Sequence, residues 1–261
     1  MSFIDYTYSR EIVTFNKAYK SSKYSYYNPA IISSVPEDLF DKQLEKEIRL
    51  LKSLPIDPPI FVAHDIKNKR LLSVLICGPQ GTPYEGGLFP FSIYLPEKYP
   101  NIPCKIVYMA KDEHRINPSI YACGKVMCSL LGSWSGSESE KWNPEISTIY
   151  QVLISIQSMF FVEEPYFLEP GFERSYGTEN AILKSNIYNG RIAYFTLKFA
   201  ILDILTNCIA EFKDVSRIYF KQNKEQIQNF IAWYQCEHAN KFKDSDVATI
   251  ISNILEELNK L

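Results

Sequence analysis

The chain has 261 residues, 46% hydrophobic and 22% charged, with 28 Lys+Arg against 30 Asp+Glu for a formal net charge of −2. That balance, with no basic stripe, argues against a nucleic-acid partner, and no uninterrupted apolar run reaches the roughly 20 residues that span a bilayer. The six cysteines form no C-x-x-C pair and the three His are scattered at 64, 114 and 238. A zinc site is therefore not expected, and the thiols read as free in a reducing compartment, the cytoplasm and/or nucleus.

Residues 1–35 are rich in Tyr, Ser and Lys without a sustained apolar period, which reads as an N-terminal extension lying on the surface. Ser34-Val35-Pro36-Glu37 has the form of a helix-capping signature. Phe40, Leu44, Ile48 and Leu51 then share one apolar face, with Lys42, Lys46 and Arg49 off it, and the helix is predicted to stop before Pro55. Four short β-rich runs follow at 60–64, 70–77, 88–95 and 104–109, separated by turn residues at Asn68 and through 78–87. Such short connections predict an antiparallel meander. Pro90 inside the third run removes a ladder donor, which suggests an outward-facing edge or a bulge.

Residues 110–143 show little periodicity, and a segment of that length in a compact domain is usually functional or disordered. Asn143-Pro144 is expected to open a second helix, whose apolar face is Ile146, Ile149, Leu153, Ile156 and Phe160. Breaks come at Glu164-Pro165 and Glu169-Pro170-Gly171. Beyond 180 the pattern is helical, with Ile192, Phe195, Phe199 and Leu202 on one helix and Phe220, Ile227 and Phe230 on another. Val247, Ile251, Ile254, Leu258 and Leu261 form a final seam suited to the protein's own body. The expected class is α+β: a helix, a four-stranded meander, a crossing helix and an enlarged helical C-terminal part. The implied units are 1–35, 36–180 and 181–261.

This order carries a series of motifs. They are Gly78-Pro79-Gln80-Gly81-Thr82-Pro83-Tyr84-Glu85-Gly86-Gly87, Tyr99-Pro100-Asn101-Ile102-Pro103, Asn117-Pro118, Gly124-Lys125-Val126 and Leu130-Leu131-Gly132-Ser133-Trp134-Ser135-Gly136. After these come Glu140-Lys141-Trp142-Asn143-Pro144, Gln151-Val152-Leu153-Ile154-Ser155-Ile156-Gln157 and Glu164-Pro165-Tyr166-Phe167. Over about residues 45–180 the chain resembles the ubiquitin-conjugating (UBC) enzymes, and within them the Apollon-like subgroup. The resemblance implies the UBC fold and a thiol relay. Ubiquitin arrives as a thioester from a ubiquitin-activating enzyme and passes to a lysine of a protein substrate, usually with a ubiquitin ligase. A thiol suits this because thioester exchange changes bond energy little. No cofactor is implied, since the activating enzyme uses the ATP.

The same resemblance exposes departures. In the family the nucleophilic cysteine directly follows Gly-Lys-Val, and a Trp stands seven residues later. Here Met127 follows Val126, and Trp134 lies seven residues after Met127. The supporting Asn, whose loss as an oxyanion donor costs on the order of 100-fold in rate, corresponds to Ser119, and the Asn of the Pro-Tyr-Phe-Asn-Glu-Pro run corresponds to Leu168. Two readings stand. Either the loop shifts by one residue and Cys128 is the nucleophile of a ubiquitin-conjugating enzyme, the function expected here, with Cys123 a poorer candidate, or Cys128 is a buried thiol filling a small apolar space and the chain is an inactive variant that serves as a ubiquitin- or ligase-binding adaptor. Glu164, with Glu163, falls near where relatives place acids that help deprotonate the incoming lysine, and His114 either orients that lysine or is solvent-exposed. By motif, Asn101, Ile102 and Pro144 lie on ligase-facing loops, and Lys42 and Lys46, with Arg49, on the face used for the activating enzyme. No metal ligand is expected.

Overall fold

Five strands among the described residues form one sheet in the computed structural model: β1 (Val13–Phe15), β2 (Ile60–Asp65), β3 (Leu71–Cys77), β4 (Leu88–Tyr94) and β5 (Lys105–Tyr108), in that spatial order. The structure describes residues 13–15, 35–65, 68–109, 114–134, 137–238 and 246–261. β2 to β5 are the expected antiparallel meander, in register through Val62↔Val74, Val74↔Phe91 and Phe91↔Tyr108. β2 and β3 are buried along their whole length, as strands covered on both faces are.

Two expectations change here. The first 35 residues carry no strand pattern in sequence, yet Val13–Phe15 pairs in parallel with Ala63, His64 and Asp65 on the β2 edge; the rest of that segment up to residue 34 lies outside the described residues. Pro90 is neither at an edge nor in a bulge, because β4 is an interior strand opposite Leu75. Its carbonyl accepts from Met109 N at 2.8 Å, so its nitrogen also faces the β5 side, at the end where β5 stops. The β3 ladder loses no donor.

Helix α1 (Glu37–Leu51) has Pro36 at its N-cap with no side-chain cap bond; Ser34 of the expected capping signature lies outside the described residues. α2 (Ile149–Ser155) continues as a π-helical turn, Ile156–Phe160. It begins well after the predicted Asn143-Pro144. Asn143 instead closes a turn, its Oδ1 accepting from Glu145 N (3.0 Å) and its carbonyl from Ser147 N (2.8 Å). Thr148 and Gln151 then form a capping box, and Ile146 is left 67% exposed.

The C-terminal part comprises α3 (Glu179–Phe195), a π-helical stretch Thr196–Leu202, α4 (Asp203–Asn207), α5 (Lys213–Gln222), α6 (Lys224–Glu237) and α7 (Val247–Asn259). The single helix suggested by Phe220, Ile227 and Phe230 is thus two, broken at Asn223. These helices share one core with the sheet. Thr196 Oγ1 donates to Pro83 O at 2.8 Å, and the Cys77 thiol and Tyr219 hydroxyl lie 2.7 Å apart. Gly87 is required by this contact, since a Cβ there would meet Ala200 Cβ at 2.8 Å and Thr196 Cγ2 at 2.9 Å. The α7 seam (Ile251, Ile254, Leu258) is buried against the protein's own body. Among the described residues no single helix is long and apolar enough to cross a membrane.

Candidate active-site groove

The groove is built on a tight reversal. Gly124 has φ +86, and a Cβ there would lie 2.3 Å from Tyr108 O, so no other residue fits this turn without strain. Its N–H donates to Tyr121 O at 2.8 Å. The chain then returns so that Val126 bridges Ile120 and Met127 N donates to Ser119 O at 2.8 Å. Asn117, fully buried, anchors this pairing: its Nδ2 donates to Tyr84 Oη (2.9 Å) and Phe160 O (2.6 Å), and its Oδ1 accepts from Ser119 N (2.8 Å).

Ser119 and Met127 are therefore neighbours across the backbone. Both line a groove of about 710 Å³, together with Leu130, Trp134, Met159 and Leu168. Extended chain alternates sides, and here Val126 is buried, Met127 half-buried and Cys128 buried again, with 7% of its surface exposed. Cys128 reaches the groove lining but also belongs to the hydrophobic core. Burial pushes its thiol up from the ordinary value, against the opposing pull of the Leu130 and Leu131 N–H groups. Its backbone is pinned by Ser133, whose Oγ accepts from Cys128 N at 2.9 Å. Cys123 is exposed on the turn and is not part of the lining.

The acids at the groove do not include the predicted one. Glu164 accepts from Ser185 Oγ at 3.2 Å and so is held on α3, outside the lining; Glu163 is exposed, and its carbonyl accepts from Asn189 Nδ2 at 2.8 Å. Two acids line the groove, Glu140 at its mouth and Glu169 on the opposite wall; Glu169 pairs with Arg115 at 2.8 Å, and Arg115 also donates to Pro118 O at 2.6 Å and lies 5.1 Å from the Tyr121 ring centroid. This clamp joins the two walls of the groove. Sequence reasoning passed over both residues, treating Glu169-Pro170-Gly171 only as a break. The signal available was a charged residue two positions from each Pro-containing motif. His114 lies outside the groove lining and is half-buried, not solvent-exposed: its ring stacks on Phe195 at 4.5 Å and 15°.

The predicted partner-facing residues fall on exposed ground. Asn101 and Ile102 are exposed, as is Pro144, and the loops carrying them are tied by Trp142 Nε1 donating to Pro100 O at 2.7 Å. Lys42, Lys46 and Arg49 stand on the outer side of α1. Beneath them Glu47 is fully buried, its Oε1 accepting from Tyr99 Oη and Gln43 Nε2 (3.0 Å) and its Oε2 from Ile149 N (3.0 Å). Burial pushes this carboxyl up, with those hydrogen bonds pulling the other way. One carboxylate thus joins α1, the Tyr99 loop and the first turn of α2. Its signal was the spacing Phe40, Leu44, Glu47, Leu51, which places an acid on the apolar face. Among the described residues no group of three or more His, Cys, Asp or Glu could hold a metal ion.

A four-stranded meander, a preceding helix, a crossing helix and a groove on the long loop between them define a UBC-type protein. The family model for ubiquitin-conjugating enzyme matches residues 43–181, more than half of the chain, and the chain belongs to that family. A human relative, the dual E2 ubiquitin-conjugating enzyme/E3 ubiquitin-protein ligase BIRC6, is 39% identical over 197 residues, covering 74% of this chain and 4% of its own length. The probable ubiquitin-conjugating enzyme protein 17 of Caenorhabditis elegans is 40% identical over 191 residues, covering 71% of this chain and 26% of that protein. The probable ubiquitin-conjugating enzyme E2 25 of Arabidopsis thaliana is 46% identical over 158 residues, 60% of this chain and 26% of that protein. The chain thus spans only a minor part of these relatives' lengths.

Proposed function

We propose that this UBC-family chain works in the ubiquitin pathway as a binding module that forms no thioester of its own. It would hold ubiquitin and a ligase, or another conjugating enzyme, in the cytoplasm and/or nucleus. The observation that supports this reading is that Met127, the residue after Gly-Lys-Val, lines the groove opposite Ser119, its N bonded to Ser119 O. A thioether has no proton to lose and cannot be acylated to a thioester. Cys128 is one residue out of place and buried, and its thiolate is disfavoured. Partners would meet the exposed loops of Ile102 and Pro144 and the outer side of α1, where Lys42, Lys46 and Arg49 are exposed beside Glu37, Asp38 and Glu45.

The test is a charging assay with activating enzyme, ATP and ubiquitin, read on non-reducing gels for wild type, Cys128→Ser, Cys123→Ser and Met127→Cys. No adduct from wild type, beside a charged activating enzyme, is the expected result, and Met127→Cys is expected to gain a thiol-sensitive adduct. A wild-type adduct lost only in Cys128→Ser would overturn the proposal. It would establish the second reading, transfer from Cys128 to a substrate lysine, which the presence of Cys128 at the groove lining favours.

A further inference from the structure

We propose that Ser137 is a phosphorylation site for an acid-directed protein serine kinase, placed to alter the mouth of the groove. Of all the Ser and Thr in the chain, Ser137 alone is followed by a carboxylate at both the +1 and +3 positions, Glu138 and Glu140. A kinase cleft that carries cations opposite those positions selects this pattern by charge complementarity. Ser137 is exposed. By contrast, Ser133 on the same loop is half-buried and bonded to both Val126 O and Cys128 N. Thr82, which also has a carboxylate at +3, is buried and donates to Pro79 O.

In the step itself the Ser137 Oγ–P bond forms as the β–γ phosphoanhydride of ATP breaks. The hydroxyl proton passes to the kinase's base and ADP leaves. The local geometry turns this into a change of shape. Ser137 N donates to Glu140 Oε2 at 2.8 Å, Glu140 N donates to Ser137 O at 3.0 Å, and the Ser137 and Ser139 hydroxyls lie 2.9 Å apart. A phosphate of about −1.5 to −2 charge set beside the Glu140 carboxylate repels it from this cap. The short 3₁₀ turn Glu138–Glu140 loses its lock, and Ser139, Glu140 and Lys141 are part of the groove lining.

The experiment incubates the full chain with ATP and an acid-directed serine kinase and maps phosphate by mass spectrometry. A synthetic peptide of residues 131–143 serves as the kinase control. Expected is a single phosphate on Ser137, absent in Ser137→Ala, slowed by about tenfold in Glu140→Gln and kept in Ser139→Ala. Phosphorylation of the peptide but not of the folded chain would overturn the site, as would phosphate at another residue or on neither substrate. Hydrogen exchange at the Ser137 amide should quicken after phosphorylation; an unchanged rate would overturn the change at the groove mouth. Neither readout depends on whether the chain carries ubiquitin.

Discussion

Two regions of this molecule meet at the groove and hold their residues for different reasons. On one side are the buried polar centres Glu47 and Asn117, each satisfying three partners drawn from different elements. On the other are Ser119, Met127 and Leu168, half-buried around open space. The first group matches what the fold needs, since removing either side chain strands donors and acceptors away from water. The second group is where the chain departs from the family's reactive pattern, and nothing in the packing resists such departures. The frame therefore constrains its buried polar residues far more tightly than the groove constrains its lining.

The largest effect should come from breaking the frame. Asn117→Ala leaves Phe160 O, Tyr84 Oη and Ser119 N without their partner, and is expected to cost about 2–4 kcal/mol, read as a lowered urea midpoint. The Glu47 centre should show itself through pH. The folded chain holds this proton more tightly than the unfolded chain does. The carboxyl's contribution is therefore full below its ordinary value near 4.5 and is lost as pH rises through the elevated native value. Glu47→Gln should flatten that part of the stability profile; an unchanged profile would place the titration elsewhere.

Substitutions in the groove should do less. Met127→Ala removes a half-buried side chain facing open space and is expected to cost about 1 kcal/mol, below the 2–5 typical of a fully buried Met. A loss as large as that of Asn117→Ala would erase the distinction between frame and groove. Arg115→Gln breaks a partly exposed pair with Glu169 and should cost under about 1 kcal/mol. In thiol labelling without denaturant, Cys123 and Cys236 should react at neutral pH and Cys128 only slowly, its burial setting the rate.

The meander was legible because its strands are runs bounded by turn residues, and each turn closes within a few positions of chain. The motifs from Gly124 to Trp134 were legible in the same way, and Met127 and Cys128 both reach the groove lining. What the sequence alone could not settle was competition between equally good local signals. Asn143-Pro144 and Thr148 with Gln151 are both sound helix starts, and burial of Ile149 together with Glu47 Oε2 receiving its N–H selects the second. A three-residue strand at Val13 has no periodicity to read and exists through the edge of β2. Whether Glu164 or Glu169 reaches the groove depended on partners far along the chain: Ser185 holds Glu164 on α3, and Arg115 holds Glu169 at the lining. Local chemistry determines which elements form and where they turn. Which side of each residue faces the groove is decided only when distant segments compete for the same interior, because that choice is made by desolvation and by hydrogen bonds between groups no sequence pattern brings together.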